Sequence, residues 1–328
     1  MDVNQIIHGD ALDVLRGLPD ASVDAIITDP PYNGVKDYDW DNQWASDDAF
    51  IAWIGANCEQ WRRVLKSNGS LYVFASPRMA ARVEVEIGRW FNVLNNLVWY
   101  KTTGNRNWSM NKEAARSFLP NTERIVFAEQ FGADPYTDVT TFDAHVFEPI
   151  RAYLQAEFDR AGVHTEQANV FCNTSSMAAH HYFAKSQWSM PTKDHYAAMR
   201  AGLGEGYLKR EYDDLRAEYE ALRRPFRLSV FVPFTDVWMI APVQPYPGKH
   251  PCEKPLPLME HIIKTSTRPG DLVLDPFAGS GTTLVAARNL QRQYIGVELQ
   301  AEYVETARKR LSEPYTLPMF DGIASGED

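Results

Sequence analysis

The sequence lacks several features that would narrow its class at once. It has three cysteines, Cys58, Cys172 and Cys252, which stand far apart and form no CxxC pair. This spacing excludes a disulfide framework and a cysteine-built zinc site, and it fits a reducing cytoplasm, where we expect the protein to be located. No apolar run approaches ~18 residues, and residues 1–5 form neither a basic nor an apolar targeting region, so we expect no membrane partner.

An excess of positive charge is also missing. The 328 residues include 33 Lys and Arg against 43 Asp and Glu, a net charge of −10. This balance argues against a histone-like polyanion binder, but only the local field steers a phosphate backbone. Residues 62–124 contain eleven basic and four acidic side chains, a local excess of +7. A nucleic-acid partner is therefore compatible with the composition.

Strand patterns and helix patterns alternate at both ends of the chain. Strands are predicted at 23–28, 69–74, 96–100, 124–127, 236–240, 271–274 and 294–297, and helices at 49–65, 78–90, 301–311 and after residue 281. This order predicts an α/β fold with a doubly wound, mostly parallel sheet built from residues 1–130 and 236–314. Residues 131–235 break the alternation, so we predict a mainly helical insertion there and a frayed tail at 315–328.

A glycine-rich turn follows the strand at 271–274. The segment from Asp275 to Thr283 reads DPFAGSGTT and leads into a helix. Glycines at such a place let backbone N–H groups approach a ligand at the positive end of the helix. Glu298 ends the next strand, where its carboxylate is placed to bind ribose hydroxyls. The combination predicts a nucleotide-like cofactor, although the segment is neither a Walker phosphate loop nor a complete dinucleotide fingerprint.

A second cluster, Asp29-Pro30-Pro31-Tyr32, stands at the carboxyl end of the strand 23–28. Ligands bind at that edge in open α/β sheets. The two prolines fix the backbone and can direct the Asp29 carboxylate and the Pro30 carbonyl toward one point, beside the flat ring of Tyr32. Two acceptors next to an aromatic ring suit the exocyclic amino group of a planar base. A proline-rich turn with a capping aspartate is the alternative for the tetrapeptide alone.

These two clusters, in this order, resemble the S-adenosylmethionine-dependent amino-group DNA methyltransferases, and the beta class of that family in particular. Gly9-Asp10-Ala11-Leu12 resembles the segment whose acid binds the cofactor adenine. The HPCEKP stretch, which ends in Lys254 and Pro255, resembles the one whose Lys and Pro contact the methionine end. Val98-Trp99-Tyr100-Lys101 resembles the strand after which target recognition begins. The likeness covers residues 5–130 and 236–312.

The resemblance implies a Rossmann-like methyltransferase fold and a site-specific enzyme acting on the N6 amino group of a flipped adenine in double-stranded DNA. The catalytic residues would be Asp29, Pro30, Pro31 and Tyr32, and no metal would be needed. The residues that would bind S-adenosylmethionine are Asp10, Ala11, Lys254, Pro255, Asp275, Phe277, Gly279, Ser280, Gly281, Thr282 and Glu298. A cognate restriction endonuclease is a further possible partner, and a monomer and a homodimer are both compatible with the sequence.

Several alternatives stay open from the sequence. A cytosine-N4 methyltransferase shares these motifs, although by resemblance Asp at the first position of the tetrapeptide favours adenine. A DNA-binding regulator that keeps the cofactor fold without turnover is the alternative from another class, and an RNA substrate is a third. Pro251-Cys252 matches the nucleophile of cytosine C5 methyltransferases superficially, but this interpretation leaves the Asp29 tetrapeptide unexplained.

Two segments are candidates for contacting DNA. The loop at 102–121 mixes phosphate binders with amides, and its candidates, with the preceding lysine, are Lys101, Arg106, Trp108, Lys112 and Arg116. Within the insertion, short helices predicted at 164–172, 175–185 and 192–202 resemble a helix-turn-helix over 164–204. Its candidates are Ser176, His180, His181 and Lys185, and a helical bundle that only braces the sheet is the alternative.

The stretch 37–48 has five acids and no base. Because this charge repels phosphate, we expect its aromatic part, residues 37–44, to form a lid beside the active site rather than a DNA contact.

Overall fold

The computed structural model describes residues 1–102, 116, 118, 120–131, 147–185, 188–227 and 235–314. The strands are β1 (Gln5–His8), β2 (Val23–Thr28), β3 (Leu65–Ala75), β4 (Asn92–Lys101), β5 (Thr122–Glu129), β6 (Val237–Ile240), β7 (Leu272–Asp275) and β8 (Gln293–Glu298). The helices are α1 (Ala11–Arg16), α2 (Asp47–Val64), α3 (Ala80–Ile87), α4 (Glu148–Ala161), α5 (Gln167–Phe171), α6 (Met177–Phe183), α7 (Lys193–Leu203), α8 (Tyr212–Leu222), α9 (Leu256–Ser266), α10 (Thr282–Asn289) and α11 (Ala301–Ser312).

The strands form one sheet of eight in the order β1-β8-β7-β2-β3-β5-β4-β6. Every neighbouring pair is parallel except those of β5, which runs antiparallel to both β3 and β4. The prediction of a mostly parallel α/β sheet is therefore confirmed. The sequence patterns missed β1, which is only four residues long, and they did not reveal that β5 is reversed.

The side chains of successive residues in the central strands are buried on opposite faces of the sheet, as the two-residue period of a strand requires. Ile26 on β2 packs on one face with Trp61 of α2. Its neighbour Ile27 packs on the other face with Ile262 of α9. Helices thus cover both faces, because a strand that is apolar on both sides is stable only between two layers.

The inserted helices α4–α8 lie between β5 and β6 and have an apolar core of their own, which includes Phe158, Trp188 and Met199. The helices predicted at 164–172, 175–185 and 192–202 are present; α5 and α6 are shorter than predicted, and α7 matches to within one residue. Asn173 adopts a left-handed conformation between α5 and α6, with φ 53°. The Thr192 cap is as predicted, since its hydroxyl accepts the His195 N–H at 3.2 Å. Helix α4 was not predicted from the sequence.

The end of α8 is tied to the sheet. The side chain of Arg224 is paired with the fully buried Glu129 of β5 at 2.5 Å. The guanidinium of Arg268 donates to the Arg223 carbonyl at 2.8 Å, and the amide of Asn68 donates to the Ala221 carbonyl at 2.8 Å. These bonds hold the insertion against the catalytic sheet at one end. None of the helices within the described ranges is both long and apolar enough to cross a membrane.

Candidate active site

Four parallel strands end at one edge of the sheet, and each delivers an acid there. Asp10 follows β1, Asp29 follows β2, and Asp275 and Glu298 are the last residues of β7 and β8. All four line a single cavity at this edge. The sequence-predicted residues from separate motifs are thus brought together by the parallel strand order.

The glycine turn after β7 needs glycine for two physical reasons. Gly279 and Gly281 adopt left-handed conformations with φ 51° and 80°. A Cβ atom on Gly281 would stand 2.8 Å from the Cβ of Ala307. Glu298 fixes the turn, because its Oε2 accepts the Gly279 N–H at 2.9 Å while Oε1 accepts the Gln300 N–H at 2.8 Å. Burial raises the pKa of Glu298.

Asp10 and Phe277 form other parts of the cavity wall. Oδ1 of Asp10 caps α1 by accepting the Leu12 N–H at 2.9 Å and the Asp13 N–H at 3.2 Å, and Ala11 begins that helix. The ring of Phe277 packs 5.3 Å from that of Trp53. This wall combines a carboxylate with aromatic rings, a pairing suited to a nucleoside.

A residue outside the predicted motifs, Arg310 of α11, braces the glycine turn. Its Nη1 donates to the Ser280 carbonyl at 2.9 Å, to the Ser280 hydroxyl at 2.8 Å and to the Thr282 hydroxyl at 3.0 Å. Its Nη2 lies 3.5 Å from Glu253 of the HPCEKP stretch. Arg310 therefore joins two segments that are widely separated in the sequence.

The Asp29 side chain is 15% exposed, and only one of its two carboxylate oxygens has a hydrogen-bond partner among the described residues. Its Oδ2 is 2.5 Å from Nζ of Lys254, whereas Oδ1 is buried and has no hydrogen-bond partner among the described residues. Burial raises the pKa of Asp29, and the neighbouring ammonium of Lys254 opposes that rise. Burial alone would lower the pKa of Lys254, but Asp29 and Glu123 outweigh it and raise that pKa. A buried acceptor without a partner is costly, so Oδ1 is prepared to receive a donor.

Glu123, at the start of β5, is the main site residue that sequence reasoning missed. Its carboxylate accepts from the Tyr32 hydroxyl at 2.9 Å and from Lys101 at 2.5 Å, and it lies 3.2 Å from Lys254. Burial would raise the pKa of Glu123, but Lys254 and Lys101 lower it to about 2. Two carboxylates and two ammonium groups thus form a balanced buried cluster. A lone Glu before an apolar strand carries no signal that marks it as functional.

This cluster bears on two predicted roles. The ammonium of Lys254, on a side chain that is 6% exposed, points to Asp29 and Glu123, and the contact with the methionine end stays a prediction. Lys101, proposed from sequence for a DNA phosphate, is paired with Glu123 inside the site. Pro255 caps α9, immediately after Lys254.

None of the remaining DNA candidates that the structure describes lines the cavity. Arg116 is exposed, and Arg106, Trp108 and Lys112 fall outside the described residues. Ser176 precedes α6, His180 and His181 lie on it, and Lys185 follows it; none of the four lines the cavity. Ser176 and His180 are exposed, whereas His181 and Lys185 are half-buried.

The basic segment at 62–124 has less uncompensated positive charge in the folded protein than the count of its residues indicated. Among the basic side chains of this segment that the structure describes, at least six are paired with acids, and four of these acids lie outside the segment. The pairs are Arg63–Asp20, Lys66–Asp24, Arg78–Asp47, Arg82–Asp48, Arg89–Glu86 and Lys101–Glu123. Folding therefore neutralises much of this local charge.

Cys252 and His250 line the cavity, but Cys252 is not a thiolate nucleophile and His250 is not a cation. Burial raises the pKa of Cys252 to about 11, so the thiol stays protonated, whereas nucleophilic cysteines have lowered pKa values. Burial, reinforced by Lys254, lowers the pKa of His250 to about 4, so its imidazole is neutral. This chemistry does not support the covalent cytosine-C5 alternative. No metal-binding group of three or more His, Cys, Asp or Glu occurs in the part of the chain that the structure describes.

Comparison with known proteins decides the family. A model of the DNA methylase family N6_N4_Mtase matches residues 23–309. The chain belongs to the DNA methylase family. It is a DNA methyltransferase, so the prediction of this enzyme class is confirmed and the regulator without turnover is not supported.

Two curated relatives of this DNA methylase extend over most of its length. It is 28% identical over 311 residues to DNA adenine methyltransferase YhdJ of Escherichia coli, covering 94% of this chain and 83% of the relative. It is 29% identical over 313 residues to the type II methyltransferase M.Cfr9I of Citrobacter freundii, covering 93% and 87%. The crystal structure of the M1.HpyAVI–SAM complex matches with TM-score 0.52 at 22% identity over 94% of this chain and 99% of that one. This similarity confirms the methyltransferase fold.

Proposed function

We propose that this DNA methylase transfers a methyl group from S-adenosylmethionine to the N6 amino group of an adenine in double-stranded DNA. The observation that carries the proposal is the buried Oδ1 of Asp29, which has no hydrogen-bond partner among the described residues and belongs to the same tetrapeptide as the half-buried Tyr32. An unpaired acceptor near an aromatic ring fits a planar base that donates from an exocyclic amino group. The YhdJ relative is named an adenine enzyme, which supports adenine as the base.

The residues around the cavity fit the cofactor. In this proposal Glu298 binds the ribose hydroxyls, Asp10 meets the adenine, Phe277 packs on the ring, and the turn from Asp275 through Gly279, Ser280, Gly281 and Thr282 lies along the molecule. Each Glu298 oxygen accepts one backbone N–H, and a carboxylate oxygen has a second lone pair to offer. When bound, S-adenosylmethionine supplies an electrophilic methyl group. The M1.HpyAVI relative was solved with SAM, which supports the choice.

The reaction then depends on orientation and electrostatics. The lone pair of an adenine amino nitrogen is delocalised into the ring, so the nitrogen is a weak nucleophile. Hydrogen bonds from that amino group to Asp29 and to the Pro30 carbonyl would favour a tetrahedral nitrogen with a localised pair. Lys254, itself held by Glu123, directs the Asp29 carboxylate and opposes the rise that burial causes in its pKa. Because the protein only orients and polarises the amino group, no covalent intermediate with the protein is required.

Access to the amino group requires the base to leave the duplex. We propose that the flipped base stacks on Tyr32, since every nucleobase offers an aromatic face. Residues 131–235 are proposed as the target-recognition region, with Ser176, His180, His181 and Lys185 near DNA bases. Arg116, which lies outside this region, is proposed for the phosphate side. The separate apolar core of α4–α8 supports a unit that can vary independently of the catalytic sheet.

Sequencing that detects modified bases, on DNA from cells expressing the protein, tests the proposal by reporting the methylated base and its context. N6-methyladenine in one sequence context is expected, and the Asp29→Ala variant should remove it. N4-methylcytosine instead would establish the alternative that the family model covers. Methylated RNA with unmodified DNA would overturn the DNA substrate.

The type II name of the M.Cfr9I relative supports a restriction–modification setting with a cognate endonuclease. Nuclease activity in the source cell, blocked by the same methylation, would test that partner. Sedimentation of the purified protein would distinguish a monomer from a homodimer.

A further inference from the structure

A buried aspartate in the acidic stretch organises the loop that follows the tetrapeptide. Asp41 is 0% exposed. Its Oδ1 accepts the backbone N–H groups of Tyr32 at 2.5 Å and Asn33 at 3.0 Å. Its Oδ2 accepts those of Val35 at 2.8 Å and Lys36 at 2.7 Å. One carboxylate therefore accepts four of the five backbone N–H groups between Tyr32 and Lys36, all but that of Gly34.

The conformation of the loop makes this arrangement possible. Asn33 and Gly34 both adopt left-handed backbone conformations, with φ 59° and 83°, which turn successive N–H groups toward one point. The Gly34 N–H itself donates to the backbone carbonyl of Asp41 at 2.7 Å. A short 3₁₀ turn, Asp39–Asp41, brings the aspartate into place. Among the described residues no Lys or Arg forms an ion pair with Asp41, so the backbone N–H groups compensate its buried charge.

Tyr32 is held at its other end as well. Its hydroxyl donates to Oε2 of Glu123 at 2.9 Å. Glu123 is in turn paired with Lys101 and Lys254. The backbone of Tyr32 is therefore fixed by one buried carboxylate and its phenol by another, from two different parts of the chain. Neither acid belongs to the tetrapeptide.

We infer that Asp41 and Glu123 are positioning residues that set the plane and depth of the Tyr32 ring before a target base enters. The inference deepens the proposed function and rests on Tyr32 being the surface on which the flipped base stacks. Because Asp29 and Pro30 stand only three and two positions before Tyr32, a loop that shifts also displaces the two acceptors for the amino group. Rates fall steeply when reacting groups lose their alignment, so the effect should appear in turnover.

The test compares two single-atom changes in one turn. Asp41→Asn keeps the shape but places an NH2 group opposite two of the four N–H donors, whereas Asp39→Asn removes the same charge from an exposed neighbour. We expect Asp41→Asn to lower kcat by at least about tenfold. Binding of S-adenosylmethionine, measured by calorimetry, should change less than about twofold, because the cofactor residues lie on other strands. Asp39→Asn should match the wild type in both measurements.

A spectroscopic measurement separates positioning from general destabilisation. A 2-aminopurine at the target position becomes fluorescent when it leaves the stack and is quenched when it stacks on Tyr32. Asp41→Asn should change the fluorescence of the bound DNA at saturating protein, and Asp39→Asn should not. Equal kcat and equal fluorescence in the two variants would overturn the role of Asp41. A matched loss of kcat, cofactor affinity and melting temperature would also overturn it, because that pattern indicates a structural role alone.

The Glu123 half is tested by a double-mutant cycle, which also serves if Asp41→Asn does not fold. Tyr32→Phe removes only the hydroxyl, and Glu123→Gln keeps the shape of the carboxylate. If the two act through one bond, the double variant loses clearly less kcat than the product of the two single losses. Multiplicative losses would overturn the inference for Glu123. Absence of methyl transfer by the wild type would count against the proposed function instead, so the two failures are distinguishable.

Discussion

The catalytic edge of the sheet and the helical insertion use the same charged residue types in opposite ways. At the edge, Asp29 and Glu123 are largely buried, with side chains 15% and 13% exposed, and they bond to groups far away in the sequence. Asp41 is fully buried and bonds to the backbone of its own loop. In the insertion, pairs such as Lys193–Asp213 lie on the surface, with side chains 68% and 78% exposed. Water screens the second kind of pair and not the first. Burial therefore separates charges that carry chemistry from charges that keep a surface solvated.

The two regions also differ in what stabilises them. The glycine turn depends on specific bonds from Glu298 and Arg310, whereas α4–α8 are held by an apolar core that many side chains share. A specific bond has few substitutes, but a shared core tolerates changes on its exposed face. We therefore expect the effects of substitution to fall from the edge to the insertion, and four predictions test that order.

The largest effect is expected at Asp29. Asp29→Ala removes the oriented acceptor and leaves Lys254 paired with Glu123 alone. The activation free energy of methyl transfer should therefore rise by ~3 kcal/mol or more. Cofactor binding should stay nearly intact, because Asp10 and Glu298 follow other strands. A tritium-transfer assay and calorimetry on one preparation measure both quantities. Turnover near the wild-type rate would contradict the assignment of Asp29.

A smaller effect is expected at Glu298. Glu298→Ala removes a half-buried carboxyl acceptor and leaves the Gly279 N–H without its partner, so the free energy of cofactor binding should weaken by roughly 1–3 kcal/mol. Glu302→Ala, an exposed acid in the first turn of α11, is the matched control. Calorimetric titration gives both dissociation constants. If the two variants bind equally well, another acid binds the ribose.

In the insertion, an effect on sequence choice without loss of stability is expected at Ser176. This residue is exposed and forms no side-chain capping bond to α6, so Ser176→Ala should leave the melting temperature unchanged. If α6 contacts bases, the difference in binding free energy between cognate and non-cognate DNA (the gap) should narrow by about 1–3 kcal/mol. Competition binding across a salt series measures the gap. An unchanged gap for Ser176→Ala and His180→Ala would show that this segment supports the fold and does not take part in base recognition.

The smallest effect is expected at the surface pair of the insertion. Lys193→Ala removes the exposed contact with Asp213, and the free energy of unfolding should change by less than ~0.5 kcal/mol. Urea unfolding monitored by Trp fluorescence measures this change. A loss of unfolding free energy several times larger would show that solvent exposure does not make the charge pairs of the insertion weaker than those at the catalytic edge.

The helical insertion was the harder part to predict from sequence. Patterning located α6 and α7 to within a few residues, because apolar periodicity and the Thr192 cap are local signals. It overextended the segment at 164–172 mainly at its start, since residues 164–166 precede α5, whereas the end of the segment before Asn173 was predicted to within one residue. It missed α4, because residues 131–163 carry no cap as clear as Thr192. Local signals predict helices, and they do not show which face meets DNA.

The sequence by itself determined the mostly parallel sheet, the place of the glycine turn and the acids at the strand ends. The apolar pattern of a strand, the glycines of a turn and the order of strands and helices along the chain are all signals in the local sequence. Only the tertiary structure decided which groups Asp29 and Tyr32 bond. Lys254 lies 225 positions from Asp29, and Glu123 lies 91 positions from Tyr32. The four donors of Asp41 likewise converge only once Asn33 and Gly34 turn the loop. Contacts between distant segments form when packing closes them, and no local pattern in the chain encodes their geometry.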